Sequence, residues 1–291
     1  EMEHKYGSIS RAILSKRFAN GKMPGRRLFS WADGIGTLSS SLAEQLGSTI
    51  RTGVTVTSLN HNANGFTVKT ANSGNLNARA VIIATQPHVS SALLETIDAK
   101  AAEAISEIVA PPIAVAYLGY RRDQVDHPLD GVGYLSPANE KRMLSGALFP
   151  STMFKGRAPE GHVALSGYIG GARAPDRAKM SADDIIAMAQ DEFRDLLGTR
   201  GDPVISRVRH WPQGLPQLTK GHSERLKQIH IAERNYPGLF VTGNYFTGPA
   251  IASCLKQSFE TCTRIDKYFD SQHGSGKTEQ TEMQEASYTC A

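Results

Sequence analysis

The chain has 291 residues, 40% of them hydrophobic and 21% charged, enough for one or two globular domains with buried cores. That composition excludes collagen-like, disordered and disulfide-scaffold proteins, and no apolar run approaches the ~18 residues of a membrane-spanning helix. The net charge is +4, with basic residues in scattered pairs such as Arg26-Arg27 and Arg121-Arg122 and no interleaved aromatics, so no nucleic-acid partner is expected.

Residues 1–27 are basic and dotted with glycine; a short helix is predicted over Ser10–Phe18, and no signal peptide is legible. Gly34-Ile35-Gly36 then feeds a helix with Leu38, Leu42 and Leu46 along one face and Gly47 as its stop. Such a turn is either an anion site, because free backbone amides point outward at a helix start, or an ordinary cap. Residues 51–84 read as strands joined by the turns Asn62–Gly65 and Asn72–Gly74. The last of them, Ala80-Val81-Ile82-Ile83-Ala84, is continuously apolar and predicts burial on both faces. Pro87 breaks it, and helices are predicted over Ser90–Ile97 and Ala99–Ile108.

From Pro111 to Trp211 the pattern becomes antiparallel, with predicted strands Ile113–Gly119, Val132–Leu135, Met143–Phe149, His162–Ile169 and Val204–His210. One helix interrupts them: Ser181 and Asp184 form an approximate capping box, Ile185, Ala189, Phe193 and Leu196 make its apolar stripe, and Gly198 closes it. A short apolar strand, Gly238 to Val241, leads through Gly243-Asn244 and Gly248-Pro249 into a helix predicted over Ala250–Phe269. Residues 270–291 carry no periodicity and read as a disordered tail.

The strand–loop–helix around Gly243 carries the clearest chemistry. Its helix start offers free amides and a positive dipole end, and glycine permits close approach of a pyrophosphate; the alternative is a plain structural unit with no ligand. Gly34-Ile35-Gly36 is not a dinucleotide fingerprint, because Ser39 stands where the third glycine belongs and no apolar strand precedes it. No metal-ligand spacing, nucleophile elbow or paired carboxylates are legible, so no catalytic residue and no metal are assigned. The three cysteines, Cys254, Cys262 and Cys290, lack metal spacing; Cys254 and Cys262 are expected to face the core of the last helix. From the residues alone the chain is a mixed α/β protein with a possible nucleotide site. A redox enzyme whose cofactor carries the reaction leaves this kind of sparse trace.

Four stretches in order resemble the carboxy-terminal part of oxygen-dependent protoporphyrinogen oxidases, flavoenzymes of haem and chlorophyll synthesis. They are Phe29-Ser30 with Gly34, Gly36 and Leu38; Phe154 to Gly161 leading to Tyr168-Ile169-Gly170-Gly171; Trp211-Pro212-Gln213 with Leu215-Pro216-Gln217 and Gly221-His222; and Gly238-Leu239-Phe240 with Gly243-Asn244-Tyr245, Gly248 and Cys254.

The resemblance implies an α/β fold: part of an FAD-binding domain of the amine-oxidase flavoprotein type (28–110 and 212–269), plus an antiparallel-sheet substrate domain (111–211), with 1–27 ending a membrane-binding helical region. It implies FAD contacts at Val56, Trp211, Gly243, Asn244 and Gly248, and tetrapyrrole contacts at Leu135, Leu148 and Tyr168, for which simple strand core is the alternative. The implied reaction removes six electrons from a porphyrinogen in three hydride transfers to FAD, with O2 as final acceptor. Coproporphyrinogen oxidation, another amine-oxidase or desaturase-type reaction, and a non-catalytic porphyrin- or partner-binding half-domain are the rivals.

Pro249 and Ala252 depart from the family pattern, as does Phe149-Pro150-Ser151-Thr152 in place of a serine-rich run. The family's GxGxxG unit and most of its helical region have no counterpart here, so the chain is expected to retain little FAD alone. Its expected setting is cytoplasmic, peripheral to a membrane through that region, as a homodimer.

Overall fold

The computed structural model describes residues 28–274; the expectations for 1–27, including the Ser10–Phe18 helix, and for Cys290 lie outside the described residues. Helix α1 (Gly36–Leu46) ends at Gly47 as predicted, but it buries none of its side chains, and Leu42 and Leu46 stand exposed. A three-stranded antiparallel sheet follows, β1 (Val56–Asn62), β2 (Gly65–Thr70) and β3 (Asn75–Ala78), with a register irregularity between Val56 and Ser58.

The chain then leaves that sheet. The strand predicted over Ala80–Ala84 is β4 (Val81–Ile83), separated from β3 at Arg79-Ala80 because it pairs in parallel with β10 (Leu239–Val241), far away in sequence. Burial on both faces is not met: Ile83 is 2% exposed but Ile82 is 51% exposed. Val81 and Ile83 turn one face of β4 into the core, so the alternating Ile82 points to the opposite face, where it stays exposed, and β4 has no partner strand beyond β10 among the described residues. The outer edge of β10 is closed differently, since the Val241 amide donates to the Glu233 carboxylate at 2.8 Å.

Helices α2 (Pro87–Leu94) and α3 (Ala99–Ser106) pack beneath these strands. Proline at the start of α2 loses no hydrogen bond, and Asp98 caps α3 by accepting the Ala101 amide at 3.0 Å. With β1, β2, β4, β10 and a helix from His222 to Asn235 they enclose one core, centred on Leu59, Phe66, Leu94, Ile105, Ile229 and Tyr245.

A second core lies under a five-stranded antiparallel sheet of order β6-β7-β8-β5-β9. Its strands are β5 (Ile113–Arg121), β6 (Gly133–Leu135), β7 (Gly146–Leu148), β8 (His162–Gly170) and β9 (Ile205–Trp211); a single turn of helix, α4 (Pro150–Met153), links β7 to β8. Helix α5 (Ala182–Leu197) covers one face. The Ser181 hydroxyl accepts the Asp184 amide at 3.1 Å, Gly198 ends the helix in the left-handed region, and Ile185, Ala189 and Phe193 are fully buried against Ala114, Ala116, Leu118, Val163, Leu165 and Ile169. The sequence-predicted cap, stripe and stop all hold.

Two neighbouring segments join the halves, with the Gly214 amide donating to the Pro111 carbonyl and the Gln217 amide to the Val109 carbonyl. Beyond them runs α6 (His222–Asn235), over which no element is predicted from the sequence. Its buried side chains are only Ile229 and Ala232, too few to show a period.

The last helix, α7 (Ile251–Gly274), runs past Asp270, where a structureless tail was expected. Tyr268 and Phe269 anchor its end: the Tyr268 hydroxyl donates to the Arg79 carbonyl, and Arg79 lies over the Phe269 ring. Cys262 is exposed and not core-facing, because α7 turns inward the stripe carrying Gln257 and Thr261, while Ile251, Leu255 and Phe259 face out. No described helix is long and apolar enough to cross a membrane.

Candidate functional site

Side chains alternate across a strand, so the pairing of β5 to β9 decides which residues share a face. Tyr168 pairs with Gly146 on one side and Val115 on the other; Gly146 pairs with Leu135, and Val115 with Arg209. The next row on the same face runs Gly133, Leu148, Ser166, Tyr117 and Arg207. The face opposite α5 therefore brings together Leu135, Leu148 and Tyr168. They are not strand core: the residues packed on α5 are their alternates, and Leu135 is 86% exposed. Trp211, beside Ile113 at the end of β9, lies on the same face, with the Arg209 guanidinium 4.9 Å from its ring centre. Burial, reinforced by the neighbouring Tyr117, raises the Tyr168 phenol above its ordinary value.

Towards the other end of this face a groove of about 510 Å³ is walled by Tyr117, Ser166, Ile205, Arg157, Pro159 and Arg207. Arg157 lies within the Phe154–Gly161 stretch. Its guanidinium donates to the Ser30 hydroxyl at 2.9 Å and to the carbonyls of Trp31 and Ala32 at 2.6 and 2.9 Å. It thereby fastens the segment before α1 to the sheet, connecting the first two stretches of the resemblance.

The other cluster lies where the parallel strands β4 and β10 end. Ala84-Thr85-Gln86 and Thr242-Gly243-Asn244, with Cys254 and Ser258 of α7, line a cavity of about 320 Å³. The crevice beyond the carboxyl ends of parallel strands is where α/β sheets bind nucleotides. The amides of Gly243 and Asn244 donate to no acceptor among the described residues, and no acidic side chain lines the cavity. Free amides without a competing carboxylate suit an anionic phosphate group.

Two further residues set the loop. Tyr245, within the Gly243-Asn244-Tyr245 stretch, is fully buried; its hydroxyl donates to Ser90 Oγ at 3.0 Å, and burial pushes its pKa up to about 12. A Cβ at Gly243 would stand 2.5 Å from the Tyr245 ring, so only glycine fits there. His222 Nε2 lies 2.8 Å from the Tyr245 carbonyl and ties the start of α6 to the same loop, while its Nδ1 is buried without a partner. Gly248 adopts φ +116°, a conformation open to glycine, and its carbonyl lies 3.8 Å from Cys254 Sγ. Val56 does not join this cluster; it stands 39% exposed at the start of β1, beside the register irregularity. The residues at the strand ends thus suit the phosphate part of a dinucleotide cofactor. No group of residues able to hold a metal ion is found among the described residues.

The chloroplastic protoporphyrinogen oxidase of Nicotiana tabacum is 28% identical over 258 residues, covering 84% of this chain and 47% of that protein. The coproporphyrinogen III oxidase of Bacillus subtilis is 27% identical over 226 residues, covering 77% of this chain and 48% of that protein. The chain therefore spans about half the length of the curated relatives it matches. Among solved structures, an Exiguobacterium protein assigned as a protoporphyrinogen oxidase superposes with a TM-score of 0.75 at 17% identity, over 92% of this chain and 57% of that one. A family model matches residues 6–266, and the chain belongs to the flavin-containing amine oxidoreductases.

Proposed function

We propose that this chain supplies the substrate-facing sheet and part of the FAD site of a porphyrinogen oxidase, acting on protoporphyrinogen IX with O2 as the electron acceptor. The observation that carries the reading is the shared face of Leu135, Leu148 and Tyr168, a broad and mostly apolar surface suited to a large flat ring system, with Trp211, the residue the resemblance assigns to FAD, at its end. FAD, when bound, accepts the hydrides.

The chain's own residues bind and orient. Gly243 and Asn244 offer amides to the pyrophosphate, and Tyr245 holds that loop through Ser90. The sheet face keeps water from one side of the ring and fixes its distance from the cofactor. No side chain here is assigned a proton-transfer role. Peripheral membrane association, a homodimer and a cytoplasmic location belong to the same proposal and rest on the resemblance.

Binding is the direct test, because about half of each relative's length lies outside this chain. Protoporphyrin IX and coproporphyrin III are each titrated into the purified chain and followed by the shift of the Soret band. Saturable binding is expected, and its absence with both porphyrins refutes the reading. The similarity to the Bacillus protein supports coproporphyrinogen as the second reading, and a clear preference for coproporphyrin would favour it. The purified chain is expected to retain little flavin; stoichiometric flavin absorbance would show that the crevice at Gly243 suffices alone.

A further inference from the structure

The free face of the five-stranded sheet is asymmetric in charge. None of the five strands carries an aspartate or glutamate, yet β9 places Arg207 and Arg209 on that face. Neither guanidinium has a carboxylate partner among the described residues: Arg207 donates to the Ser206 carbonyl, and Arg209 lies over Trp211. The remaining arginine on the face, Arg121, is paired with Asp123 at 3.1 Å.

Two unpaired cations thus border an apolar floor, with the same spacing as the two rows that cross it. Residues two apart on a strand stand about 7 Å from each other, and Tyr168 on β8 is two strand spacings, roughly 10 Å, from Arg209. A flat ring lying over Tyr168, Val115 and Tyr117 therefore ends near the two guanidiniums.

We infer that Arg207 and Arg209 form a carboxylate-binding rail that orients a tetrapyrrole by its propionate side chains, leaving the ring on the apolar rows. The inference rests on the porphyrinogen reading above and adds the residues that recognise the acid edge. Arginine suits the task because its planar fork meets a carboxylate with two parallel hydrogen bonds. The competing account is that charged side chains on β9 merely protect an open sheet edge from pairing with other chains. The two accounts differ in what the arginines do to a carboxylate ligand.

The test uses the whole chain with coproporphyrin III and with its tetramethyl ester, which keeps the ring and removes the acids. Binding is read from the Soret shift and from quenching of the chain's two tryptophans, Trp31 and Trp211. Arg207→Gln with Arg209→Gln is expected to weaken the acid roughly ten- to a hundred-fold, the loss of two exposed charge-assisted contacts, and to leave the ester within about two-fold. Arg207→Lys with Arg209→Lys is expected to recover part of the loss, and added salt should weaken only the acid. Undiminished acid binding by the glutamine variant overturns the inference while the porphyrinogen reading stands. An equal loss for acid and ester also overturns it, since the arginines would then act as packing. If neither porphyrin binds the unmodified chain, the reading fails and the inference fails with it.

Discussion

Glu233 offers a prediction that can be worked from the structure. Its carboxylate is only 6% exposed and holds three elements together: it accepts the Val241 amide of β10 at 2.8 Å, Arg264 of α7 at 2.6 Å and His230 of α6 at 2.8 Å. Glu233→Ala orphans the Val241 amide, which is fully buried, at a cost of about 1–3 kcal/mol. Arg264 and His230 are 34% and 43% exposed, so water partly replaces the lost carboxylate and each contact is worth about 0.2–1 kcal/mol. The sum is roughly 3 kcal/mol. Glu233→Gln keeps an acceptor for the amide and should cost about half as much.

Burial pushes the Glu233 carboxyl up, but the hydrogen bonds from His230, Arg264 and Val241 outweigh it and hold it below its ordinary value of 4.5. A folded-state value below the unfolded one means that the stabilisation is complete above pH 4.5 and disappears as the pH falls through the folded value. The assay is urea unfolding of wild type and both variants across this range, with hydrogen exchange of the Val241 amide as the local reading. The gap between wild type and Glu233→Gln should be constant near neutral pH and close in acid. A Glu233→Ala variant within about 1 kcal/mol of wild type, or an unprotected Val241 amide in the wild type, would refute the reasoning.

Other outcomes follow from single contacts. Gly243→Ala forces Tyr245 from its place and should break the Tyr245–Ser90 bond, raising hydrogen exchange of the 242–248 amides. Phe193→Ala empties the centre of the core beneath the five-stranded sheet and should cost about 3–5 kcal/mol in urea unfolding. Arg157→Ala releases Ser30, Trp31 and Ala32; the Trp31 emission should change and the exchange of the Gly34 amide rise, while global stability moves by less than about 1 kcal/mol.

Much of the local structure is legible in the sequence because it is decided within a few residues. The cap at Ser181, the stripe Ile185–Ala189–Phe193 and the stop at Gly198 need only a helical period and a positive-φ residue, and so do α1 and its end at Gly47. The glycine-bearing loop after β10 is likewise legible, since strand, loop and helix follow in one stretch. Helix α6 escapes notice because Ile229 and Ala232 are its only fully buried side chains.

What tertiary structure alone decides is pairing. Alternation predicts that β8 has two faces, but not that Leu135, Leu148, Tyr168, Arg209 and Trp211 lie on one of them; that depends on the registers of four strand pairs. The break at Arg79-Ala80 has the same kind of origin, in a parallel partner more than a hundred residues away. Side-chain period is a property of the chain itself, whereas register is set by contacts between distant segments. Short-range pattern therefore marks the elements, and only the assembled sheet shows which residues share a face.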